Sequence, residues 1–231
     1  MRQNNILNIV RYVRDHPNTT KPLIGEALNL SRPTVNNLID ELIDRGVLQV
    51  SGIGISGPSG GKRPQLISLN ERYALVVGVA LGNEYTSLAV TDLNLQVLHL
   101  TNFPTNREEL AGAWYHRVYD EYKAAIAQFP DQRVIGMGVA VRGLVDSESG
   151  TLTYAAHMPG WTDVPLSEEL SSKVMIPVIV EKESNTYAVA EKLFGTAKMN
   201  PNFVAIYCGD VIGAGIFIDG GLYPGAHGSA G

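Results

Sequence analysis

Hydrophobic residues near the start of the chain recur at the three- and four-residue spacing of helices, in three short runs. The first run ends at the sequence DHPN, and the second follows Thr19 or Thr20, either of which can cap a helix. The third follows Ser31, carries Pro33 in its first turn and ends at Gly46. The pattern therefore predicts three helices, with a tight turn between the second and the third. Their apolar positions are Ile6, Ile9, Val10 and Val13; Leu23, Ile24, Ala27 and Leu28; and Val35, Leu38, Ile39 and Leu42.

The pattern then changes to two short strands, VLQVSG and QLISLN, which flank the glycine-rich segment GISGPSGGKRP. Such a hairpin after three helices is typical of a wing. Three helices with a tight turn before the third form the helix-turn-helix arrangement found in DNA-binding proteins. Residues 1–70 are thus predicted to form a winged helix-turn-helix domain.

The polar face of the third predicted helix has the side chains that DNA recognition requires. Arginine pairs with guanine and asparagine with adenine in the major groove, and a helix N-terminus binds phosphate. Basic residues in a glycine-rich wing are suited to the backbone or the minor groove. The candidate DNA-binding residues are Ser31, Arg32, Thr34, Asn36, Asn37, Lys62 and Arg63.

A small helical domain that binds protein is the alternative, and Asp40, Glu41 and Asp44 on the same helix favour it. The charge distribution favours DNA, because residues 1–70 carry a net charge of +3 and the remainder carries −8. Only the basic N-terminal part is expected to meet a polyanion. The wing supports the same conclusion.

From Tyr73 onward, apolar strands form a meander and then alternate with helices, which indicates a mixed α/β sheet. The predicted strands are ALVVGVAL, YTSLAVTDL, QVLHLTNF, VIGMGVAV, VIVEKES, NFVAIYCG and IGAGIFIDG, and the predicted helices are REELAGAWYHRVYDEYKAAIAQF and NTYAVAEKLFG.

The single cysteine, Cys208, excludes a disulfide framework and fits the reducing cytoplasm, where we expect the protein to reside. No apolar run reaches membrane-spanning length, so no membrane partner is expected.

Several motifs, in order along nearly the whole chain, resemble the ROK family of bacterial sugar kinases and transcriptional repressors. They are SGGKRPQLISLN, GVAVRGLVD, MPGW and GAGIFIDGGLYPGAHGSAG. The first of them, after a winged helix-turn-helix, is typical of the repressor branch. The resemblance implies an actin-like lobe of the sugar kinase and ribonuclease H type over residues 73–200. It also implies a second lobe, of which residues 201–231 would be the incomplete beginning.

The resemblance also implies where a kinase of this family would hold nucleotide, and the sequence departs from the family there. Family kinases have Asp-x-Gly-Gly-Thr where this chain has Ala80 to Glu84, and Gly-Thr-Gly-Ile-Gly where it has Gly209 to Gly213. Glu84 and Asp210 place negative charge where phosphate is expected, and like charges ~4 Å apart repel by ~1 kcal/mol even in water. The chain is therefore predicted not to be an enzyme.

In family kinases an Asn-Asp pair acts on the sugar, and here the pair is Lys182-Glu183. Glu183 is either a sugar contact or one half of a surface ion pair with Lys182. Arg142 either meets an anionic effector or pairs with Asp146, and His157 is either a hydrogen-bonding partner of a sugar or incidental. The candidate effector-binding residues are His157, Gly160, Glu183, Arg142 and His227.

The chain lacks the Glu-Ile-Gly-His segment and the Cys-rich zinc loop that the family carries after these motifs, so neither zinc nor another cofactor is expected in it. The resemblance implies a repressor of sugar metabolism that binds an operator as a homodimer or higher oligomer and responds to a sugar or sugar phosphate. An ATP-dependent sugar kinase with an added DNA-binding domain is the alternative, and a DNA-bound scaffold without a small ligand is a third.

Overall fold

The computed structural model describes residues 2–55, 63–155, 157–209, 211–225, 228 and 230–231. Three residues named above, Lys62, Asp210 and His227, lie outside the described residues. The chain forms two compact units, one of Met1–Ala74 with Asp92–Gln96 and the other of Leu75–Thr91 with Val97–Gly231.

The first unit has the predicted three helices and a two-stranded antiparallel sheet. The elements are α1 (Arg2–Asp15), α2 (Lys21–Ala27), α3 (Arg32–Asp44), β1 (Leu48–Ile53) and β2 (Gln65–Leu69), followed by a short 3-10 turn at Glu71–Tyr73. The predicted apolar stripe of α3 is confirmed, because all four of its residues are at most 5% exposed. They pack with Ile9, Ile24 and Ile67 into one core.

Local hydrogen bonds explain where the second and third helices begin. Thr20, rather than Thr19, caps α2, because its hydroxyl accepts from the backbone N–H of Leu23. The Ser31 hydroxyl accepts from the N–H of Thr34 at 3.4 Å and lies 2.8 Å from the Thr34 hydroxyl. α3 therefore begins at the predicted cap.

The second unit is built on a five-stranded sheet. Its elements are β3 (Leu75–Leu81), β4 (Tyr85–Thr91), β5 (Val97–Pro104), α4 (Ala111–Ile126), β6 (Val134–Val141), β7 (Leu144–Asp146), β8 (Thr151–Tyr154), β9 (Thr162–Val164), α5 (Leu166–Val174), β10 (Val178–Lys182), α6 (Glu183–Phe194), β11 (Phe203–Cys208), β12 (Ile212–Ile218) and β13 (Gly221–Leu222). The large sheet has the order β10-β6-β3-β4-β5. β3, β4 and β5 form the antiparallel meander, and β6 and β10 run parallel to β3.

Two smaller antiparallel sheets, β7-β8-β9 and β11-β12-β13, complete the unit. The core contains the fully buried Trp114 and Trp161, whose rings meet edge to face with centroids 5.7 Å apart. Each indole N–H has a partner: that of Trp114 donates to the Thr86 hydroxyl, and that of Trp161 donates to the Glu109 carbonyl. These anchors fix the MPGW turn in the core.

Several predicted boundaries are wrong, two of them near candidate site residues or the MPGW anchors. The helix predicted from residue 107 begins at Ala111, because the Asn106 side chain holds a turn by accepting from the N–H of Glu108. The strand predicted over residues 178–184 ends at Lys182, and Glu183 already belongs to α6. There the carboxylate of Glu181 accepts from the N–H of Lys182 and from the amide of Asn185, which favours the start of a helix.

Candidate functional site

The N-terminal half of α3 presents its polar residues to solvent. Ser31, Arg32, Asn36 and Asn37 are exposed, and Thr34 is half-buried. The hydroxyls of Ser31 and Thr34 are engaged with each other at the helix start. Arg32, Asn36 and Asn37 therefore form the exposed polar row from which base contacts would come.

The acidic residues of α3 are largely paired within the unit. Asp40 forms an ion pair with Lys21, and Glu41 forms ion pairs with Arg2 and, at 3.5 Å, with Arg45. Such surface pairs add little stability, but they balance the negative charge next to the polar row. Asp40 and Glu41 therefore repel a nearby phosphate less than unpaired carboxylates would.

A second group of functional candidates lies where β6 and β10 end. The two strands are parallel neighbours, with Lys182 opposite Val141, so the residues that follow them meet at one edge of the sheet. Nε of Arg142 donates to Oε2 of Glu183 at 2.6 Å, and the two side chains are 19% and 12% exposed. The structure thus brings two of the predicted effector residues together in one largely buried ion pair.

The pairings proposed from sequence for these two residues are wrong. Glu183 is not paired with Lys182, whose ammonium donates to the carbonyls of Ala230, at 2.9 Å, and Gly231. Arg142 is not paired with Asp146, whose carboxylate accepts from the N–H of Glu148 and the hydroxyl of Ser149.

The pKa values of Lys182 and Asp146 are both lowered, which favours the neutral form of the lysine and the charged form of the aspartate. Burial lowers the pKa of Lys182, and the neighbouring Glu181 carboxylate opposes that shift. The hydroxyl of Ser149 and the backbone N–H of Glu148 lower the pKa of Asp146 by hydrogen bonding to its charged form.

Two tyrosines missed by the sequence analysis complete the cluster. The hydroxyl of Tyr207, on β11, accepts from Arg142 at 3.3 Å, and the Tyr187 hydroxyl donates to Oε1 of Glu183 at 3.4 Å. The two rings stack with centroids 4.9 Å apart. Burial, and next the Glu183 charge, raise the pKa of Tyr187. No pattern in the β11 sequence FVAIYC marks Tyr207 as a site residue.

A cavity of about 220 Å³ opens beside this cluster. Arg142, Glu183 and Tyr207 line it together with Ser184, in the first turn of α6. Ser184 is 6% exposed, and its hydroxyl has no hydrogen-bond partner among the described residues. A buried hydroxyl without a partner is costly, so this atom favours a polar ligand in the cavity.

The glycines of β12 allow α6 to lie directly on this strand. A Cβ at Gly215 would lie 2.4 Å from the Cβ of Ala188 and 2.7 Å from the carbonyl oxygen of Ser184. At Gly213, which also lines the cavity, a Cβ would lie 3.2 Å from the Cβ of Ser184. These contacts set the position of the first turn of α6, and with it the position of Glu183 and Ser184.

Two other predicted effector residues, His157 and Gly160, lie outside the cavity lining. His157 is exposed in the turn between β8 and β9, and Gly160 lies in the same turn with φ of +82°, a conformation that favours glycine. His227 is outside the described residues. The structure therefore joins Arg142 and Glu183, and it leaves His157 and Gly160 on a separate, exposed turn.

The hairpin between β3 and β4 is held by contacts within itself and with Arg107. The N–H of Gly82 donates to the carbonyl of Tyr85, and a Cβ at Gly82 would lie 2.6 Å from that oxygen. The glycine is thus required by the hairpin itself. Glu84 is exposed, and the Asn83 carbonyl accepts from Arg107.

No helix in the described part of the chain has the length and apolarity needed to cross a bilayer. Within the same residues there is no group of three or more His, Cys, Asp and Glu side chains suited to a metal ion.

The fold and these sites together define a winged helix-turn-helix unit on a chain that continues as a sugar-kinase-like lobe. Residues 2–49 match the winged helix-turn-helix DNA-binding family, and residues 76–231 match the ROK family. The chain belongs to the ROK family, as its motifs predicted.

Several of its curated relatives are named as xylose repressors. It is 32% identical to a candidate xylose repressor of Caldicellulosiruptor sp. strain Rt8B.4, over all of this chain and 58% of the relative. It is 29% identical to the xylose repressor of Bacillus subtilis strain 168, over 90% of this chain and 53% of the relative. The chain thus spans rather more than half the length of these proteins.

Solved structures share the fold. A ROK family transcriptional regulator, a homologue of the E. coli MLC protein, matches 98% of this chain and 57% of its own, with a TM-score of 0.82 and 23% identity. A ROK glucokinase of Streptomyces griseus, solved with glucose and AMPPNP, matches 68% of this chain and 49% of its own, with a TM-score of 0.58 and 27% identity. The predicted combination of a winged helix-turn-helix with a sugar-kinase-like lobe is confirmed.

Proposed function

We propose that this chain is part of a cytoplasmic transcriptional repressor of sugar metabolism that binds an operator and is released by a sugar. The observation that carries the proposal is the combination, in one chain, of a helix α3 with an exposed polar row and a ROK lobe with a polar cavity. The relatives named as xylose repressors make xylose the first sugar to test.

On the DNA side, Arg32, Asn36 and Asn37 would contact base edges in the major groove. Ser31 and Thr34 would add phosphate contacts at the start of α3, where backbone N–H groups and the helix dipole favour an anion. Lys62 and Arg63 would contact the backbone or the minor groove from the wing. A homodimer or higher oligomer would place two such units on a palindromic operator.

On the ligand side, the cavity has the donors and acceptors that a sugar needs. Sugar hydroxyls both donate and accept, so they can bond to the Glu183 carboxylate and the Ser184 hydroxyl at once. A sugar hydroxyl on Glu183 would compete with Arg142, whose guanidinium also bonds to Tyr207 on β11. His157, Gly160 and His227 would contact the ligand from neighbouring loops.

Competition at this ion pair suggests how a ligand acts at a distance. Arg142 follows β6 and Tyr207 belongs to β11, so displacing the guanidinium changes the contact between these two elements. For repression, the conformation with ligand must bind DNA more weakly. By linkage, DNA and ligand then weaken each other's binding by the same factor.

Catalysis is not part of the proposal. The supporting features are the exposed acid Glu84, the hairpin role of Gly82, and the occupation of Glu183 by Arg142, which removes a free carboxylate base. Asp210 would add a second acid to the phosphate region. The alternative, an ATP-dependent sugar kinase with a DNA-binding domain, is supported by the resemblance to glucokinase.

The test uses the full-length gene product and labelled DNA fragments from upstream of sugar-uptake genes. We expect tight binding at low salt, weakened by xylose or another sugar, and no ATP consumption with any sugar in a coupled assay. The double variant Asn36→Ala and Asn37→Ala should lose the preference for operator DNA. Its control is Leu7→Gln, on the exposed face of α1, which should keep that preference. No affinity for any such fragment, or sugar-dependent ATP turnover lost on Glu183→Ala, would overturn the proposal.

A further inference from the structure

The start of helix α6 forms one wall of the cavity beside the Arg142–Glu183 pair. Lys182, the residue before the helix, and Ser184, in its first turn, both line this cavity of about 220 Å³. Neither was among the effector residues predicted from the sequence. Pockets for drug-sized ligands measure ~300–1,000 Å³, so this smaller cavity suits a molecule such as a single sugar unit.

The first turn of α6 offers hydrogen-bond donors at the cavity wall. The first N–H groups of a helix lack an intrahelical acceptor and carry the positive end of the helix dipole. Among the residues that the structure describes, no side chain caps this helix by a hydrogen bond. Within the same residues the Ser184 hydroxyl, which is buried in this turn, has no partner either. An acceptor supplied by a ligand would satisfy these donors together.

The carboxylate of Glu183 belongs to this turn, but both of its oxygens are bound elsewhere. Oε2 accepts from Nε of Arg142 at 2.6 Å, and Oε1 accepts from the Tyr187 hydroxyl at 3.4 Å. This carboxylate therefore balances the charge of the guanidinium and leaves the helix start without an acid of its own.

Lys182 adds a second cation beside the helix start. Its ammonium group donates to the carbonyls of Ala230 and Gly231, which carry no net charge. An ammonium group has three N–H donors, so one remains for a further acceptor. The lysine can therefore hold its present partners and bind a ligand at the same time.

The described lining of the cavity carries more positive than negative charge. Its charged side chains are Arg142, Lys182 and Glu183, which are two cations and one anion. The neighbouring Glu181 carboxylate lies outside this lining and accepts from Ser147 and Asn185. An acidic ligand would bring the lining closer to neutrality, whereas a neutral ligand would leave the charge in place.

We propose that the start of α6 is an anion subsite, and that the effector is a monosaccharide with one acidic group, a phosphate or a carboxylate. The acidic group accepts from the first-turn N–H groups, the Ser184 hydroxyl and the Lys182 ammonium group. Helix N-termini bind such groups in this way, and hydrogen bonds to a charged acceptor are short and strong. This inference rests on the proposed function and narrows its effector from a sugar to an acidic sugar.

The experiment measures the Kd of matched ligands for the full-length protein by calorimetry, at low and at high salt. The neutral ligands are glucose and xylose, and the acidic ones are glucose 6-phosphate, glucuronate and xylonate. Inorganic phosphate tests an anion without a sugar. The phosphate and the two carboxylates show which acidic group the subsite prefers.

Three variants separate charge, hydroxyl and structure. Lys182→Gln removes the charge and keeps an amide donor for the carbonyls, and Ser184→Ala removes the hydroxyl without a partner. Lys192→Gln, near the other end of α6, is the matched control, because its ammonium group also donates to two carbonyls, those of Lys198 and Asn200. Thermal melting of each variant checks folding.

We expect an acidic ligand to bind about tenfold more tightly than its neutral counterpart at low salt, with a smaller advantage at high salt. Lys182→Gln should weaken the acidic ligand about tenfold and leave the neutral one unchanged, and Lys192→Gln should change neither. Ser184→Ala should weaken the acidic ligand without lowering the melting temperature, because a buried hydroxyl without a partner contributes no stability.

Equal affinity of the wild type for neutral and acidic ligands would overturn the inference and leave the proposed sugar effector intact. An equal loss for both kinds in Lys182→Gln would give the lysine a structural role only, and would also overturn it. Inorganic phosphate that binds as tightly as any acidic sugar would show an adventitious ion only. A wild type that binds operator DNA and none of these ligands would refute the inference together with the sugar response. Preference for acidic sugars in a protein that binds no operator would refute only the DNA side of the proposed function.

Discussion

Arg142 and Glu183 lie 41 positions apart in the chain and meet at 2.6 Å, because the parallel strands that precede them end side by side. The pair is mostly buried, with Tyr207 and Tyr187 as its further hydrogen-bond partners. An ion pair in such a place contributes specificity of structure more than net stability, since desolvation offsets much of the attraction.

Removing one partner of this ion pair should lower the free energy of unfolding more than replacing both partners by apolar residues. Glu183→Leu leaves Arg142 buried without its carboxylate, so we expect a loss of about 3 kcal/mol in the free energy of unfolding. Arg142→Met combined with Glu183→Leu should recover most of that loss. Urea unfolding of both variants and of Arg142→Met completes the double-mutant cycle. Additive losses in the double variant would show that the two side chains do not interact.

The turn after β7 predicts that part of the free energy of unfolding depends on pH. Hydrogen bonds from Ser149 and Glu148 hold the pKa of Asp146 below its ordinary 3.8, so the charged form favours the folded state. This contribution is fully present above pH 3.8 and is lost as pH falls through the lower, folded-state pKa. The stability difference between wild type and Asp146→Asn should therefore shrink in acid. Asp131→Asn, in an exposed turn, controls for loss of one surface charge; an equal change in both variants would contradict the prediction.

Buried and exposed side chains of the MPGW turn should contribute very differently to stability. Trp161→Ala removes a buried ring that packs edge to face against Trp114, and should lower the free energy of unfolding by about 4 kcal/mol. His157→Ala, in the same turn, should change stability by less than about 0.5 kcal/mol, since the side chain is exposed. Thermal and urea unfolding test both. A large loss of stability in His157→Ala would mean that the turn depends on this side chain.

The cap of α3 can be tested separately from the second unit. Ser31→Ala removes the acceptor for the Thr34 N–H and should cost about 1 kcal/mol in the first unit. Both tryptophans of the chain, Trp114 and Trp161, lie in the second unit. The unfolding transition followed by far-ultraviolet circular dichroism should therefore shift, whereas the transition followed by tryptophan fluorescence should stay in place. Thr20→Ala, the corresponding cap of α2, is the comparison; a shift of fluorescence in either variant would show that the units unfold together.

The elements that were predicted correctly from the sequence depend on short-range signals. The start of α3 follows from Ser31 and Pro33, and its buried face follows from spacing within thirteen residues. The strand VIGMGVAV is equally local, and it spans residues 134–141 as predicted. Such signals involve neighbours in the chain, so periodicity and capping rules suffice to find them.

Periodicity and capping rules could not predict the partners of Arg142 and Glu183. Sequence proximity suggested Asp146 and Lys182, the nearest opposite charges, but the register of β6 against β10 decides the pairing. Ser184 and Tyr207 were missed for the same reason, since they come to line one cavity with Arg142 only when β6, α6 and β11 pack together. Long-range register is set by the whole core rather than by any local motif.

The close contact of Gly215 with Ala188 makes the size of the cavity depend on a residue outside its lining. A side chain at position 215 would push the first turn of α6 away from β12 and carry Glu183 and Ser184 with it. The space for a ligand would widen without any change in the groups that bond to it. Discrimination between small and large ligands can therefore change in this fold through backbone spacing alone.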